Sequence, residues 1–232
     1  MTTKKDIIPI EKDRVYFLFK RGQKEHIQAL LEEGEVYINS VDYIRDCDDN
    51  KERSDEDDGI MEREYLGDIE VTVCDVGGDF DKDGITFNGV RGIVKTDHQQ
   101  KGNIYCLTGI FSEHLTADIP PHFNTKSFGE TTILIHSPAK FLERLFRALK
   151  EKGLEGVKAA KVAYYKDDYS GDIGFFKKHE NFMSQSEFRI FVPNTKNEPI
   201  KLKIGSLKDI ASINIGFIKL KYTDKTEHII AL

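Results

Sequence analysis

The residues best suited to chemistry lie in the segment 175–192. Glu187 lies near the start of a predicted strand over 186–192, in which large apolar side chains occupy alternate positions. We expect its carboxylate to project from a sheet edge into a cleft, where it can accept hydrogen bonds or stabilise a developing positive charge. The competing hypothesis is a surface ion pair of Glu187 with Arg189 or Lys178, because most glutamates are solvated.

Two acidic segments partly match calcium-binding loops, in which alternate carboxylates meet the cation. In the segment 79–84 the glycine position fits, but the twelfth position is Val90 where the loop requires glutamate. The segment 46–51 has Lys51 in place of the glycine. The first segment is therefore predicted to be a polar hairpin tip, and the second a solvated loop.

The sequence lacks the other common catalytic motifs. The histidines lack zinc spacing, and the sequence contains no nucleophile-elbow, P-loop or dinucleotide-binding glycine motif. Acidic residues could gather around magnesium as in a nuclease, but no spacing singles out a set. We predict no metal site, and a nuclease is the third-ranked hypothesis.

The apolar pattern opens with a strand, a helix and a second strand. The strand Val15–Phe19 is followed by the basic pair Lys20-Arg21 and by a turn. Residues 23–33 place apolar side chains at helical spacing, and Gly34 suits the helix end. The segment 35–39 then alternates like a strand.

Further elements follow along the whole chain. A helix is predicted from Ser137 as N-cap to Gly153, with Pro138 at its first position. Residues 109–128 read as a long irregular connection. The predicted strands are 69–74, 84–87, 89–94, 103–108, 131–135, 157–165, 186–192, 200–204, 213–220 and 228–232, with turns at 77–78, 83–84, 88–89, 204–206 and 224–225. The fold class is therefore α+β: a single domain over 1–232 with a mostly antiparallel twisted sheet and two main helices.

Composition bounds the function. The sequence contains 15 Phe and 9 Tyr, which is far more aromatic residues than disordered chains contain, so we expect the chain to fold. Residues 42–70 carry a net charge of −9 within a total of −6, so the rest is about +3 and a general nucleic-acid coat is disfavoured. The acidic part 42–58 is predicted to be a surface loop. Without an apolar span or a cysteine pair, we expect a cytoplasmic protein with reduced thiols and no membrane partner.

Several of these segments together resemble a known family. They are the opening Val15–Asn39, the middle Ile104–Thr108, and the late segment 176–190 with its Gln185-Ser186-Glu187-Phe188-Arg189 run, followed by Ile204-Gly205-Ser206. Their order resembles a family of bacterial and phage domains and is similar to the DarT-like branch of the ADP-ribosyltransferase superfamily. The resemblance implies a split sheet, NAD as the bound cofactor, and a role in conflict between phage and bacterium.

The resemblance also implies roles for individual residues. Glu187 would be the catalytic carboxylate, and Lys20 or Arg21 would lie near the NAD phosphates. Tyr105 or Thr108 would border the nicotinamide pocket. A carboxylate can hydrogen-bond the ribose hydroxyl while cations hold the pyrophosphate.

Two partner hypotheses remain open. The acceptor of the ADP-ribosyl group would be nucleic acid or protein, and Tyr164, Tyr165 and Tyr169 near several lysines could stack on a nucleic-acid strand or lie in the core. Alternatively, the chain is a non-catalytic binding or inhibitory module whose acidic loop 42–58 meets a basic partner. The oligomeric state is not predicted.

Overall fold

The computed structural model describes residues 14–45, 57–97, 101–116, 120–194, 196–222 and 226–232. The strands are β1 (Val15–Gly22), β2 (Glu35–Ser40), β3 (Glu62–Val73), β4 (Ile85–Thr96), β5 (Gly102–Phe111), β6 (Thr131–Ile135), β7 (Lys158–Lys161), β8 (Ala163–Tyr165), β9 (Gly171–Asp172), β10 (Lys177–His179), β11 (Glu187–Pro193), β12 (Ile200–Lys203), β13 (Ala211–Ile213), β14 (Phe217–Lys221) and β15 (Glu227–Ala231). The helices are α1 (Lys24–Glu33), α2 (Val41–Arg45), α3 (Phe80–Asp83), α4 (Ser112–Thr116) and α5 (Pro138–Glu151), with short 3-10 helices at Lys126–Phe128 and Glu180–Gln185. The chain is an α+β protein whose sheets are mostly antiparallel.

The two long helices form where the sequence predicts them. Helix α1 buries Ile27, Leu30 and Leu31 and ends at Gly34, which has φ of 67°. Helix α5 follows Ser137 at the N-cap position and Pro138 in the first turn, although the Ser137 side chain makes no capping hydrogen bond. The apolar stripe of each helix faces the sheet, which is how amphipathic helices gain most of their stability.

The main sheet has eight strands in the described part of the chain. Its order is β12-β2-β5-β1-β6-β13, and β11 pairs with β5 and is followed by β7. Every pair in this sheet is antiparallel. Strand β5 is the only one of them that pairs with three others in the described residues, so it lies at the centre of the sheet.

The two faces of the sheet pack against different elements. Along β1, Leu18 belongs to the core that contains α1 and α5, whereas Phe19 belongs to a second core with Phe123 and Ile230. The alternation follows from the strand period of two. A third cluster, with Phe175 stacked on Phe191 at 4.0 Å between ring centroids, covers the β11 end of the second face.

The middle of the chain differs from the predicted meander. Strands β3 and β4 form one hairpin with 12 residues in each strand, so the predicted turn at 88–89 is wrong and those residues lie within β4. The register between the strands shifts between Ile69 and Val71, as at a β-bulge. The segment 79–84 is the hairpin tip as predicted, and it carries the short helix α3 capped by Asp79.

Other boundaries also move. The predicted strand 157–165 divides into β7 and β8, which belong to different sheets, and 213–220 divides at Asn214, which has φ of 61°. The predicted connection 109–128 is irregular only in part, since β5 reaches Phe111 and α4 follows. Strand β1 continues past Phe19 through the basic pair to Gly22.

The acidic segment 42–58 is only partly described. Its first residues belong to helix α2, and Asp58 at its end is buried, so these two ends depart from the predicted surface loop. Residues 46–56 lie outside the described residues, as do Cys47, the partial match at 46–51 and the predicted turn at 224–225. Cys74 and Cys106 are free thiols.

Candidate functional site

The ladder of β5 is interrupted on one edge. Strand β11 pairs with β5 from Gly102 to Thr108. On the opposite edge β1 pairs with residues 108–111 and β2 with residues 103–104, so positions 105–107 have no strand partner there among the described residues. Helix α1 connects the parts of β1 and β2 that do not pair with β5, residues 20–22 and 35–38.

A lysine side chain enters the gap. The Lys20 Nζ donates to the Cys106 carbonyl oxygen at 2.9 Å and lies 4.5 Å from the centroid of the Tyr105 ring. The hydrogen bond supplies a donor to a carbonyl at a position where the ladder is open. The extension of β1 beyond Phe19 is what carries this side chain to the gap.

A cavity of about 720 Å³ lies at the gap. Its walls come from the end of β1, from α1, β2 and β5, and from the segment that leads into β11. All five residues predicted for the site line it: Glu187, Lys20, Arg21, Tyr105 and Thr108. Residues far apart in the sequence are therefore brought to one place.

Glu187 lies at the start of β11, opposite Thr108 in the ladder. Its Oε1 accepts from the Arg189 Nε at 2.6 Å, and its Oε2 lies 3.5 Å from the Lys178 Nζ. Only 5% of the residue is exposed. The ion pairs offered as the competing hypothesis are present, but they are buried instead of lying on the surface.

Arg189 is enclosed by acceptors. Its Nη2 donates to Asp58 Oδ2 at 3.0 Å and to Glu187 Oε2 at 3.3 Å, and its Nη1 donates to the Phe175 carbonyl at 3.0 Å. With Lys178, which also donates to Gln185 Oε1 at 3.2 Å, the group contains two carboxylates and two cations. Such compensation is what allows charges to be buried.

The charges decide the protonation state of the site. Burial raises the pKa of Glu187, but Arg189 and Lys178 lower it by more, to about 2, so the carboxylate is ionised at neutral pH. Burial and the neighbouring Glu187 raise the pKa of Cys106, which remains a thiol at neutral pH. The cavity thus contains a fixed anion beside a neutral thiol.

Arg21 extends towards the second core. Its Nη2 donates to the main-chain oxygen of Leu232 at 2.5 Å. Its Nε is buried and has no hydrogen-bond partner among the described residues. A buried donor without a partner costs free energy, so a ligand anion that reached it would be favoured.

Tyr105 and Thr108 both line the cavity, and both are buried. Tyr105 is buried, packs in the helical core, and stacks on Phe141 at 6.5 Å between ring centroids. Its burial raises the pKa of its hydroxyl, which stays protonated. Thr108 is also buried, next to Glu187 in the ladder.

A smaller recess of about 310 Å³ adjoins the cavity. The two share Tyr37, Asn39 and Tyr43. About half of each tyrosine side chain is exposed. The sequence analysis missed this recess. The alternation of polar and apolar residues along β2 does not distinguish a side chain that faces solvent from one that faces a cavity.

Sequence analysis also missed Asp58 and Cys106. Asp58 is one of many acidic residues in its segment and carries no local signal. Cys106 lies in an ordinary strand pattern. The two-residue spacing of Glu187 and Arg189 was a usable signal, because residues i and i+2 share a face of a strand.

The three tyrosines proposed to contact nucleic acid do not form one exposed surface. Tyr165 is buried and its hydroxyl donates to Asp57 Oδ2 at 2.8 Å. The Tyr164 hydroxyl accepts from the Glu187 backbone N–H at 2.9 Å. The core interpretation therefore holds for Tyr165, and Tyr164 supports the strand that bears Glu187.

Among the described residues, no group of three or more His, Cys, Asp or Glu side chains is arranged to hold a metal ion. Within the same ranges, no helix combines the length and apolar character needed to cross a bilayer. Comparison of the chain with protein-family models, with curated proteins and with solved structures gives no match. The chemistry of the cavity therefore carries the functional conclusion.

Proposed function

We propose that the chain is an ADP-ribosyltransferase-like enzyme that binds NAD in the 720 Å³ cavity and transfers its ADP-ribosyl group to nucleic acid or protein. The observation that carries this proposal is the ionised, buried Glu187 beside a gap in the sheet that cations also line. The gap between β1 and β2 supports the further proposal of an ADP-ribosyltransferase-like split sheet. A role in conflict between phage and bacterium belongs to the same proposal.

The cavity suits a phosphate-bearing ligand. Its volume lies within the range of roughly 300–1,000 Å³ that is usual for ligand pockets. Lys20, Arg21, His26 and Lys201 line it, and the buried Arg21 Nε has no partner among the described residues. Lys20 and Arg21 would hold the pyrophosphate, because charge-assisted hydrogen bonds to phosphate are among the strong ones.

Glu187 would act on the ribose. NAD supplies the bond between ribose and nicotinamide, which breaks so that nicotinamide leaves with the bonding electron pair. A fixed carboxylate beside that carbon stabilises the positive charge that develops, and it needs no reorganisation at the moment of reaction. The acceptor then bonds to the same ribose carbon and releases its proton to solvent.

A non-catalytic binding or inhibitory module is the second candidate. The observation that favours it is that Arg189 and Lys178 already engage the Glu187 carboxylate, as in a purely structural ion-pair group. In that case the acidic segment 42–58 would meet a basic partner and the cavity would bind no dinucleotide.

Calorimetric titration of NAD into the wild type and Glu187→Gln, with chromatography of released nicotinamide, separates the two candidates. We expect saturable binding to both proteins and a loss of release of about 100-fold or more in the variant. Glu113→Gln is the control, since Glu113 pairs with Lys161 at an exposed position outside the cavity. Absence of binding at millimolar NAD, or release that persists in Glu187→Gln, contradicts the enzyme proposal.

A further inference from the structure

Asp58 reaches the site from a distant part of the chain. It lies 131 residues before Arg189, and each residue is only 1% exposed. Its Oδ2 accepts a hydrogen bond from the Arg189 Nη2 at 3.0 Å, and its Oδ1 lies 2.6 Å from Nη1 as an ion-pair contact without hydrogen-bond geometry. The two oxygens thus contact the two terminal nitrogens of one guanidinium.

The opposite side of the same guanidinium holds Glu187. Nε donates to Oε1 at 2.6 Å and Nη2 to Oε2 at 3.3 Å. Nη1 donates to the Phe175 carbonyl oxygen at 3.0 Å. Every side-chain nitrogen of Arg189 therefore contacts an acceptor. A planar guanidinium with contacts on both edges cannot rotate without breaking one of them.

We propose that Asp58 is a positioning residue, which fixes the Arg189 guanidinium and through it the direction of the Glu187 carboxylate in the cavity. The consequence for catalysis rests on the proposed function, whereas the effect on Arg189 does not. Arg189 transmits the constraint, because it is the group that Asp58 and Glu187 both contact.

Charge compensation alone does not require this arrangement. Asp58 and Glu187 together balance the charges of Arg189 and Lys178, but a charge balance does not require both carboxylates to contact the same guanidinium. Two carboxylates that contact one planar guanidinium also fix its orientation. A single ion pair between point charges would leave the guanidinium able to rotate. Orientation of a reacting group matters, since a displacement of about 1 Å can reduce a rate by about 100-fold.

The test compares Asp58→Asn with Asp57→Asn, the same change at the neighbouring position, whose carboxylate contacts Tyr165 and Lys95 instead. The first readout is the Nε–Hε resonance of Arg189 in the free protein, assigned by its loss in Arg189→Lys. The second is the rate of nicotinamide release together with the Kd for NAD.

We expect Asp58→Asn to move or broaden the Arg189 resonance and to reduce the release rate by about 10- to 100-fold, with Kd changed by less than about 3-fold. Asp57→Asn should leave all three quantities near the wild-type values. A general loss of structure would affect the rate and Kd together. An unchanged Arg189 resonance and rate in folded Asp58→Asn overturns the proposal.

A second variant covers failure of Asp58→Asn to fold. Arg189→Lys keeps the charge but cannot span both carboxylates, so the rate should fall while the Kd for NAD is retained. A wild-type rate in Arg189→Lys overturns the proposal. If the wild type releases no nicotinamide, the enzyme proposal fails by itself. The Arg189 resonance in Asp58→Asn then decides the positioning role: a change supports it and no change overturns it.

Discussion

The Arg189 Nε lies 2.6 Å from the Glu187 Oε1, although the two residues belong to the same strand and are separated by a single residue. Both side chains leave the same face of β11 because side chains alternate along a strand. Arg189 lies opposite Cys106 and Glu187 opposite Thr108, so this pair forms part of the cavity at the centre of the sheet. The ionisation of Glu187 in this pair leads to the first prediction.

The stability of the protein should depend on the ionisation of Glu187. Burial raises its pKa and the cations lower it by more, from 4.5 to about 2. Because the folded pKa lies below the unfolded one, the contribution is complete above about pH 4.5 and is lost as the pH falls towards 2. Urea unfolding should show Glu187→Gln less stable by about 3 kcal/mol at neutral pH, with a difference that shrinks over this acid range.

Glu113→Gln provides the control for that experiment. Its carboxylate pairs with Lys161 at 2.5 Å, but its side chain is 51% exposed. Exposed pairs contribute at most about 1 kcal/mol, so the effect should be small. A Glu187→Gln difference that is equally large at acid and neutral pH would contradict the ionisation account.

Helix α5 should show a sharp contrast between its two faces. Phe141 is fully buried and stacks on Tyr105, whereas Phe146 is 36% exposed. We expect Phe141→Ala to lower the free energy of unfolding by about 4 kcal/mol and Phe146→Ala by about 1 kcal/mol or less. Chemical denaturation measures both, and equal losses would show that α5 does not pack as described.

Gly34 should not tolerate a side chain. It has φ of 67°, and a Cβ there would lie 2.1 Å from the Gly205 carbonyl oxygen. Gly153 has φ of 75° and nothing within 4 Å of the same added atom. We expect Gly34→Ala to cost more than about 2 kcal/mol and Gly153→Ala about 1 kcal/mol, since only the first adds a clash to the backbone strain. Thermal unfolding of the two variants checks the difference.

Lys20 should contribute to ligand affinity. Lys20→Met removes the cation at the gap, and we expect about a 10-fold weaker Kd for NAD by calorimetry, which corresponds to about 1.4 kcal/mol. The difference from wild type should narrow at high salt, because salt screens accessible charges. Lys203→Met is the matched control, since Lys203 pairs with Glu33 on the exterior and does not line the cavity. Equal affinities of the wild type and Lys20→Met for NAD would show that Lys20 does not contribute to NAD binding.

Local patterns were sufficient for the elements whose signals are local. The stripe of α5, the strand β6 at Thr131–Ile135 and the left-handed Gly34 follow from residues within one or two turns of each other. The sequence also predicted a strand that begins at Ser186, and the observed strand β11 begins one residue later, at Glu187. These features depend on side-chain spacing and backbone freedom, which are properties of the chain itself.

Only the tertiary structure decided how those elements meet. No local signal divides 157–165 between two sheets, joins the predicted short strands into one long hairpin, or opens the ladder of β5 between β1 and β2. The buried partner of Glu187, Arg189, likewise contacts Asp58, which is 131 positions away from it along the chain. The amino-acid sequence by itself determined the two long helices, most strands of the main sheet and the candidate charges. Their burial and pairing were decided by long-range packing, because the free energy of a buried charge depends on every partner that the fold brings to it.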